Sequence, residues 1–173
     1  RAIGIACNVG YKEQLENLVA ETRERLGPID TLVANAGVNP FYVSMSDIPD
    51  EAFDQVMATN VRSNHWLCQM VAPDMLKKGR GSIMITASTG AFAGSETLGT
   101  YNISKLADIA LVRNLAMEWG PKGVRVNAIC PGLIKTDFAK ALWDNPEAAQ
   151  RVTEQTPLRR FGESEDFEGI VVY

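Results

Sequence analysis

The sequence has 173 residues, 46% of them hydrophobic and 22% charged, proportions that suit one globular domain and exclude an extensively disordered chain. Seventeen basic and 21 acidic residues leave a formal net charge of -4 without a basic stripe, so we expect no nucleic-acid partner. No apolar run approaches the roughly 18 residues of a membrane-spanning helix, so we expect no membrane partner either.

The first half of the chain alternates short apolar runs with stretches of helical periodicity. Residues 3–9 form a short apolar run and are predicted as a strand. Residues 11–26 are predicted as a helix, because apolar side chains recur there at helical spacing. A second strand is predicted at Thr31–Ala34, followed by a long helix at residues 49–78 that bends at Pro73.

The second half continues the same alternation. Residues 82–88 are apolar without clean alternation, which predicts a strand buried on both faces of a parallel sheet. A helix is predicted at residues 101–119 and a strand at Val124–Ile129, and residues 136–162 are predicted to be helical in part. This order predicts an α/β fold: a doubly wound parallel sheet with helices on both faces, in a single domain over residues 1–173.

Three of the predicted strands end in residues that suit ligand binding. Asn35-Ala36-Gly37 follows the second strand, Ser88 ends the third, and Pro131-Gly132 follows the fourth. In open parallel sheets, ligands bind outside the carboxyl ends of the strands. We therefore expect these three chain segments to border one ligand cleft.

Tyr101 and Lys105 form the sharpest chemical pattern in the sequence. They are four residues apart and so share one face of the predicted helix. A phenol has a reference pKa of about 10 and is a poor base at neutral pH, but a fixed ammonium nearby favours the phenolate. The pair can thus donate or accept a proton, while Ser88 holds the oxygen that is protonated.

These residues, in this order and spacing, resemble the short-chain dehydrogenase/reductase family. The resemblance runs from about residue 7 to residue 168 and rests on Asn35-Ala36-Gly37, Asn60, Ser88, Tyr101 with Lys105, and Pro131-Gly132 with Thr136. It implies a Rossmann-like fold and an oxidoreductase that uses NAD or NADP. Such an enzyme moves a hydride between the nicotinamide cofactor and a small-molecule carbonyl or secondary alcohol.

The resemblance also implies a role for each residue of the site. Tyr101 would be the general acid in reduction and the base in oxidation, and Ser88 would position the substrate oxygen. Lys105 would lower the pKa of Tyr101 and bind the nicotinamide ribose, and Asn60 would hold a water molecule in a proton relay. Besides Lys105, the implied cofactor contacts are Asn8, Val9, Asn35, Ala36, Gly37, Tyr101, Pro131, Gly132, Ile134 and Thr136.

The sequence departs from the family at both ends. The family's first βαβ unit, whose glycine-rich turn binds the pyrophosphate, would precede residue 1, and the chain stops in a helix before the family's last strand. We therefore expect an interior piece of a longer protein, with a truncated paralogue as the alternative.

Residues 1–173 alone are expected to bind neither NAD nor NADP usefully, which calorimetric titration would test. The choice between NAD and NADP stays open, because the deciding residue follows the family's second strand.

Two further expectations concern assembly and location. The helices around Trp66 with Met70, and around Leu106 with Met117, carry more apolar surface than one sheet face absorbs. The resemblance implies that they pair with their copies in a homodimer or homotetramer.

Three widely spaced cysteines suit reduced thiols rather than disulfides or a metal site. No signal-peptide pattern is visible either, so a cytoplasmic protein is predicted.

A function from another class stays open at this point. A non-catalytic family member, serving as a subunit or scaffold, would account for the missing glycine-rich turn. The intact Ser88, Tyr101 and Lys105 favour an enzyme instead. The upstream coding sequence would discriminate between the two, since a strand, a glycine-rich turn and a helix there would favour the enzyme.

Overall fold

The computed structural model describes residues 2–172. The chain divides into two compact units, one ending at Cys130 and the other beginning at Pro131. The elements, in chain order, are α1 (Lys12–Leu26), β1 (Thr31–Ala34), α2 (Asp50–Met57), α3 (Ser63–Lys78), β2 (Gly81–Thr86), α4 (Gly99–Trp119), β3 (Val124–Ile129), α5 (Lys140–Trp143), α6 (Pro146–Gln155) and α7 (Glu168–Val172). The single domain expected from the sequence stays a prediction.

The three strands of the first unit form one parallel sheet in the order β1-β2-β3. Leu32 of β1 is level with Ile83 of β2, and Ile83 is level with Val126 of β3. The helical segment of α2 and α3 connects β1 to β2, and α4 connects β2 to β3. Parallel strands joined by helices confirm the predicted α/β class, and β1 and β3 have the predicted bounds.

The helices α1, α3 and α4 share one hydrophobic core with one face of this sheet. Ile83, Ile85 and Val124 are fully buried in that core. Side chains at the alternate positions point to the other face, where Val33 is 42% exposed and Asn127 is exposed. In β2 itself, the alternate side chains of Ser82, Met84 and Thr86 are half-buried, so the predicted full burial of this strand is seen on one face only. Both crossovers run in the same direction across the sheet, and right-handed crossovers place their helices on the same face.

Residues 3–9 form no strand in the structure, so that prediction is wrong. Cys7 and Val9 still pack against the core. In the strand order 3-2-1-4-5-6, the third strand pairs only with the second. No strand of the described chain lies beside residues 3–9 to supply ladder hydrogen bonds, so the apolar run packs without forming a strand.

The long helix predicted at residues 49–78 is interrupted, but not at Pro73. Pro73 lies inside α3 without ending it. The interruption is a π-helical turn at Ala58–Arg62, between α2 and α3, and helical backbone angles continue through both junctions. Such turns are frequent at functional sites. Asn60 lies in the middle of this turn and is fully buried.

Gly123 permits a close approach between the turn after α3 and the turn before β3. Its φ is +82°, and a methyl group there would overlap the carbonyl oxygen of Gly79. We expect Gly123→Ala to lower the free energy of unfolding by about 2–3 kcal/mol, because backbone strain and overlap act together. Urea denaturation measures this loss. Gly120→Ala is the matched control, since its methyl group would meet nothing within 4 Å; equal stability of the two variants would contradict the expectation.

The second unit is built from short helices and loops. Ile134 and Gly162 form an isolated parallel bridge, and the Asn145 side chain caps α6 by accepting the amide hydrogens of Glu147 and Ala148. Over residues 2–172, no helix has the length and apolar character needed to cross a bilayer. In the same range, no three His, Cys, Asp or Glu side chains are grouped as a metal ion would need.

Candidate active site

The carboxyl ends of β1 and β2 meet beside the first half of α4. Asn35 follows β1, and its side-chain oxygen accepts a hydrogen bond of 3.0 Å from the Thr86 hydroxyl at the end of β2. The Thr86 carbonyl in turn accepts a hydrogen bond of 2.7 Å from the Lys105 ammonium. Two of the segments that the sequence predicted to converge are therefore connected through Thr86, a residue that no sequence motif identifies.

Ser88 and Tyr101 are hydrogen-bonded to each other. Ser88 lies just after β2, and its hydroxyl oxygen also accepts the amide hydrogen of Gly90 at 3.1 Å. Tyr101 lies in the first turn of α4. The structure thus brings together the two hydroxyl groups that the sequence predicted to act on one oxygen atom.

Burial raises the pKa of the Tyr101 phenol above its ordinary value. The hydrogen bond with Ser88 acts against this shift, whereas the charges of Asp108 and Tyr42 add to it. The Lys105 ammonium lies 5.7 Å from the centre of the Tyr101 ring. The resemblance implied that Lys105 lowers the Tyr101 pKa, but the net shift is upward, because burial makes the largest contribution.

Asp108 is a buried carboxylate that is not among the residues predicted to form the site. Its Oδ2 lies 3.3 Å from the Lys105 ammonium, and the two side chains are 0% and 4% exposed. Its Oδ1 accepts a hydrogen bond of 2.9 Å from the Asn64 side chain. Tyr101, Lys105 and Asp108 are spaced at i, i+4 and i+7, which places them on one helix face. That spacing is visible in the sequence and could have identified Asp108.

Asn60 is buried and fixes the loop that follows β1. Its Oδ1 accepts the Val38 amide hydrogen at 2.8 Å, and its Nδ2 donates to the Val38 carbonyl and to Ser104 Oγ, both at 3.0 Å. Its own carbonyl accepts a hydrogen bond of 2.6 Å from Asn64. The side chain therefore anchors the loop and is not turned to solvent, and its part in a water relay stays a prediction.

Gly37 lies in the loop that Asn60 fixes. A side chain there would begin 3.5 Å from both Asn60 Oδ1 and the Lys105 ammonium. Glycine therefore keeps the space beside the ammonium open, as a closely approaching ligand requires. Its neighbour Ala36 is exposed at the same strand end.

Asn8 and Val9 lie in a turn at the start of the first unit. The Asn8 side-chain oxygen accepts the amide hydrogen of Gly10 at 3.0 Å, and the Asn8 amide donates to Gln14. A methyl group on Gly10 would come 3.7 Å from the Thr59 hydroxyl, so this turn lies against the π-helical turn that carries Asn60. The structure thus places both predicted cofactor residues near that turn, while their contacts with a cofactor stay predictions.

Four of the predicted cofactor contacts belong to the second unit: Pro131, Gly132, Ile134 and Thr136. Within that unit the Thr136 hydroxyl donates to the Ile134 carbonyl at 3.5 Å. The Thr136 carbonyl accepts the indole hydrogen of Trp143 at 2.8 Å. These contacts define the local shape of the segment, and the predicted cofactor roles stay predictions.

The chain is similar to known proteins along nearly its whole length. A family profile described as enoyl-(acyl carrier protein) reductase matches residues 1–173. A dehydrogenase/reductase SDR family member 4 from Oryctolagus cuniculus is 41% identical over 170 residues, which are 98% of this chain and 65% of that protein. The chain therefore spans somewhat less than two thirds of the length of this relative.

Solved structures with the same fold include two dehydrogenases. A 7α-hydroxysteroid dehydrogenase complexed with NADH and 7-oxo glycochenodeoxycholic acid gives a TM-score of 0.94 at 35% identity, covering 99% of this chain and 66% of that one. A gluconate 5-dehydrogenase from Burkholderia cenocepacia, in complex with NADP and tartrate, gives 0.90 at 25% identity, covering 95% and 64%. With the profile match over all 173 residues, the chain belongs to the short-chain dehydrogenase/reductase family.

Proposed function

We propose that the complete protein is an NAD(P)-dependent oxidoreductase that moves a hydride between a nicotinamide cofactor and a carbonyl or secondary-alcohol substrate. The observation that carries this proposal is the hydrogen bond between Ser88 and Tyr101. Behind it, the Lys105 ammonium lies 5.7 Å from the Tyr101 ring. Two hydroxyl groups at one spot, next to a buried cation, suit the binding and protonation of a single oxygen atom.

In the proposed mechanism, Tyr101 is the general acid for carbonyl reduction and gives its phenolic proton to the carbonyl oxygen. Ser88, held by the Gly90 amide, donates its hydroxyl hydrogen to the same oxygen and so polarises the carbonyl. A bound nicotinamide supplies the hydride, or accepts it in the reverse direction. In alcohol oxidation, Tyr101 must first be deprotonated, and its phenolate then takes the proton from the hydroxyl group. The raised pKa of Tyr101 keeps the phenol protonated at neutral pH, which suits the role of acid.

Groups at this edge of the first unit fit a nicotinamide ribose. An ammonium has three hydrogens, and those of Lys105 bind the Thr86 carbonyl and Asp108, which leaves one for a ribose hydroxyl. The open space beside Gly37 suits the same group. We further propose that Asn60 holds a relay water. The remaining proposed cofactor contacts are Asn8, Val9, Asn35 and Ala36 of the first unit and Pro131, Gly132, Ile134 and Thr136 of the second.

The solved relatives support the proposed cofactor and substrate classes. One of them is complexed with NADH and a keto steroid acid, and the other with NADP. We therefore propose NAD or NADP as the cofactor, and a ketone, secondary alcohol or polyol as the substrate. The test incubates the complete protein with both cofactors and a panel of these compounds, and follows the ultraviolet absorbance of reduced nicotinamide. Cofactor binding without any turnover across the panel would instead favour a non-catalytic subunit.

We propose a homodimer or homotetramer, on the basis of an apolar stripe along α4. Leu106 and Met117 are 48% and 80% exposed, and Ile103 is exposed on the same face. Ile109 of the same helix is buried, and Trp66 of α3, which the sequence assigned to the contact surface, is half-buried. Stripes of this kind stabilise symmetric contacts between identical helices.

Light scattering of the complete protein is expected to give the mass of a dimer or tetramer. Leu106→Asp places a charge in the proposed contact and is expected to reduce the mass to that of a smaller assembly. Lys12→Asp, an exposed charge change on α1, is the control and is expected to leave the mass unchanged. A monomeric parent protein would overturn the proposal.

We also propose a cytoplasmic location. Cys7, Cys68 and Cys130 are free thiols, and free thiols persist in reducing compartments. A human relative, 41% identical, is named as a mitochondrial protein, so fractionation of cells into cytosol and organelles is the appropriate test.

A further inference from the structure

A buried polar cluster lies behind Tyr101, and the proposed reaction uses only part of it. Its side chains are almost completely excluded from water: Asn60, Asn64, Ser104, Lys105 and Asp108. Burying such groups is unfavourable unless each is paired or hydrogen-bonded. Tyr101, Lys105 and Asn60 have roles in the proposed function, whereas the fully buried carboxylate of Asp108 has none.

Asp108 and Thr86 hold the Lys105 ammonium from two sides. The ammonium donates to the Thr86 carbonyl at 2.7 Å and to Asp108 Oδ2 at 3.3 Å. The other carboxylate oxygen is occupied by Asn64 of α3 at 2.9 Å. A lysine side chain has four rotatable carbon–carbon bonds, and two fixed acceptors restrict it to one orientation. Asp108 is thus fixed by a neighbouring helix and in turn fixes Lys105.

The titratable groups around Asp108 and Tyr101 come from two helices and one loop. Lys105 and Tyr101 face it from α4. Cys68 faces it from α3, but burial, together with the Asp108 charge, raises the Cys68 pKa to about 12, so the thiol is neutral. Tyr42, from the loop after β1, acts on Tyr101. At neutral pH the charges in this group are therefore those of Asp108 and Lys105, and they nearly cancel.

We propose that Asp108 is a positioning residue whose carboxylate orients the Lys105 ammonium and sets the pH at which Tyr101 exchanges its proton. Without this negative charge, the buried ammonium would act on the phenol unopposed. With it, Tyr101 keeps its proton over a wider pH range and remains available as an acid. The inference rests on the proposed function, because it concerns Tyr101 as the proton donor.

The test measures the ionisation of Tyr101 in the complete protein, with and without Asp108. The ultraviolet absorbance of the phenolate is titrated in the parent and in Asp108→Asn, each against the same protein carrying Tyr101→Phe. The Asp108 charge raises the Tyr101 pKa, so Asp108→Asn is expected to lower the measured value by roughly half to one pH unit. The pH profile of kcat/KM should move in the same direction by the same amount.

Two control variants separate the local charge from general effects. Asp108→Glu keeps the charge and is expected to leave the Tyr101 titration near that of the parent. Asp74→Asn makes the same chemical change at a distant carboxylate, which pairs with Arg23. Asp74 lies about 15 Å along α3 from Asn64, so this variant is expected to leave the Tyr101 pKa unchanged. An unchanged or higher Tyr101 pKa in Asp108→Asn, or an equal shift in Asp74→Asn, would overturn the inference.

A second variant keeps the inference testable if Asp108→Asn does not fold. Asn64→Ala removes the hydrogen bond that holds the carboxylate in its charged form, and is expected to give a smaller shift in the same direction. No shift of the Tyr101 pKa in this variant would also count against the inference.

The titration needs no turnover, so the two proposals can fail separately. An inactive parent would refute the proposed function, while an active parent whose Tyr101 pKa does not shift in Asp108→Asn would refute the inference alone.

Discussion

Replacing Tyr101 with phenylalanine is expected to lower the turnover number of the complete protein by a factor of about 10² to 10⁴, the usual contribution of general acid–base catalysis. The phenylalanine ring keeps the packing at the start of α4 and removes only the hydroxyl group that is hydrogen-bonded to Ser88. The affinity for NAD or NADP is expected to change little, because the phenol acts on the substrate oxygen. Steady-state assays and a fluorescence titration of the reduced cofactor measure the two quantities.

Tyr42→Phe is the matched control for this experiment. Tyr42 is 41% exposed, and its influence on Tyr101 is electrostatic. The same loss of one hydroxyl group is therefore expected to leave most of the turnover in place. Parental turnover in Tyr101→Phe would remove Tyr101 from the mechanism, and equal losses in the two variants would show that the effect is not specific to the acid.

The elements that the sequence predicted well are those determined by local patterns. β1 and β3 are short apolar runs bounded by turn residues, and both were predicted with the bounds they have. Residues 3–9 have an equally apolar pattern, but a strand also needs a neighbour, and no pattern within seven residues supplies one. The π-helical turn at Ala58–Arg62 was missed for a related reason. Its central residue, Asn60, is held by Val38, which lies 22 positions earlier in the chain.

The candidate site was predictable as far as side-chain chemistry and spacing reach. The rule that ligands bind at the carboxyl ends of parallel strands placed Asn35 and Ser88 at this edge of the sheet. The Thr86 carbonyl could not be found in this way, because every residue carries a carbonyl group. The direction of the Tyr101 pKa shift also depends on burial and on Asp108, which only the packed structure reveals.

Removing the positive charge of Lys105 is expected to destabilise the first unit strongly. Asp108 is fully buried, and its carboxylate lies 3.3 Å from the Lys105 ammonium. Lys105→Met keeps most of the apolar side chain but leaves the carboxylate buried without a counter-charge. Such a change typically lowers the free energy of unfolding by about 3–5 kcal/mol, which urea denaturation at neutral pH would measure.

This loss is expected to depend on pH in a direction set by Asp108. Burial raises the Asp108 pKa above its ordinary value of 3.8, and Lys105→Met removes a charge that opposes the shift. The relevant pH window lies between the Asp108 pKa in the unfolded chain and the higher Asp108 pKa in the folded variant. In this window the folded variant binds more protons than the unfolded chain, so its stability rises as the pH falls. Lys105→Met combined with Asp108→Leu buries no charge and should recover most of the stability at neutral pH. If Lys105→Met alone is as stable as the parent, or loses stability as the pH falls through this window, Asp108 is not the unpaired charge.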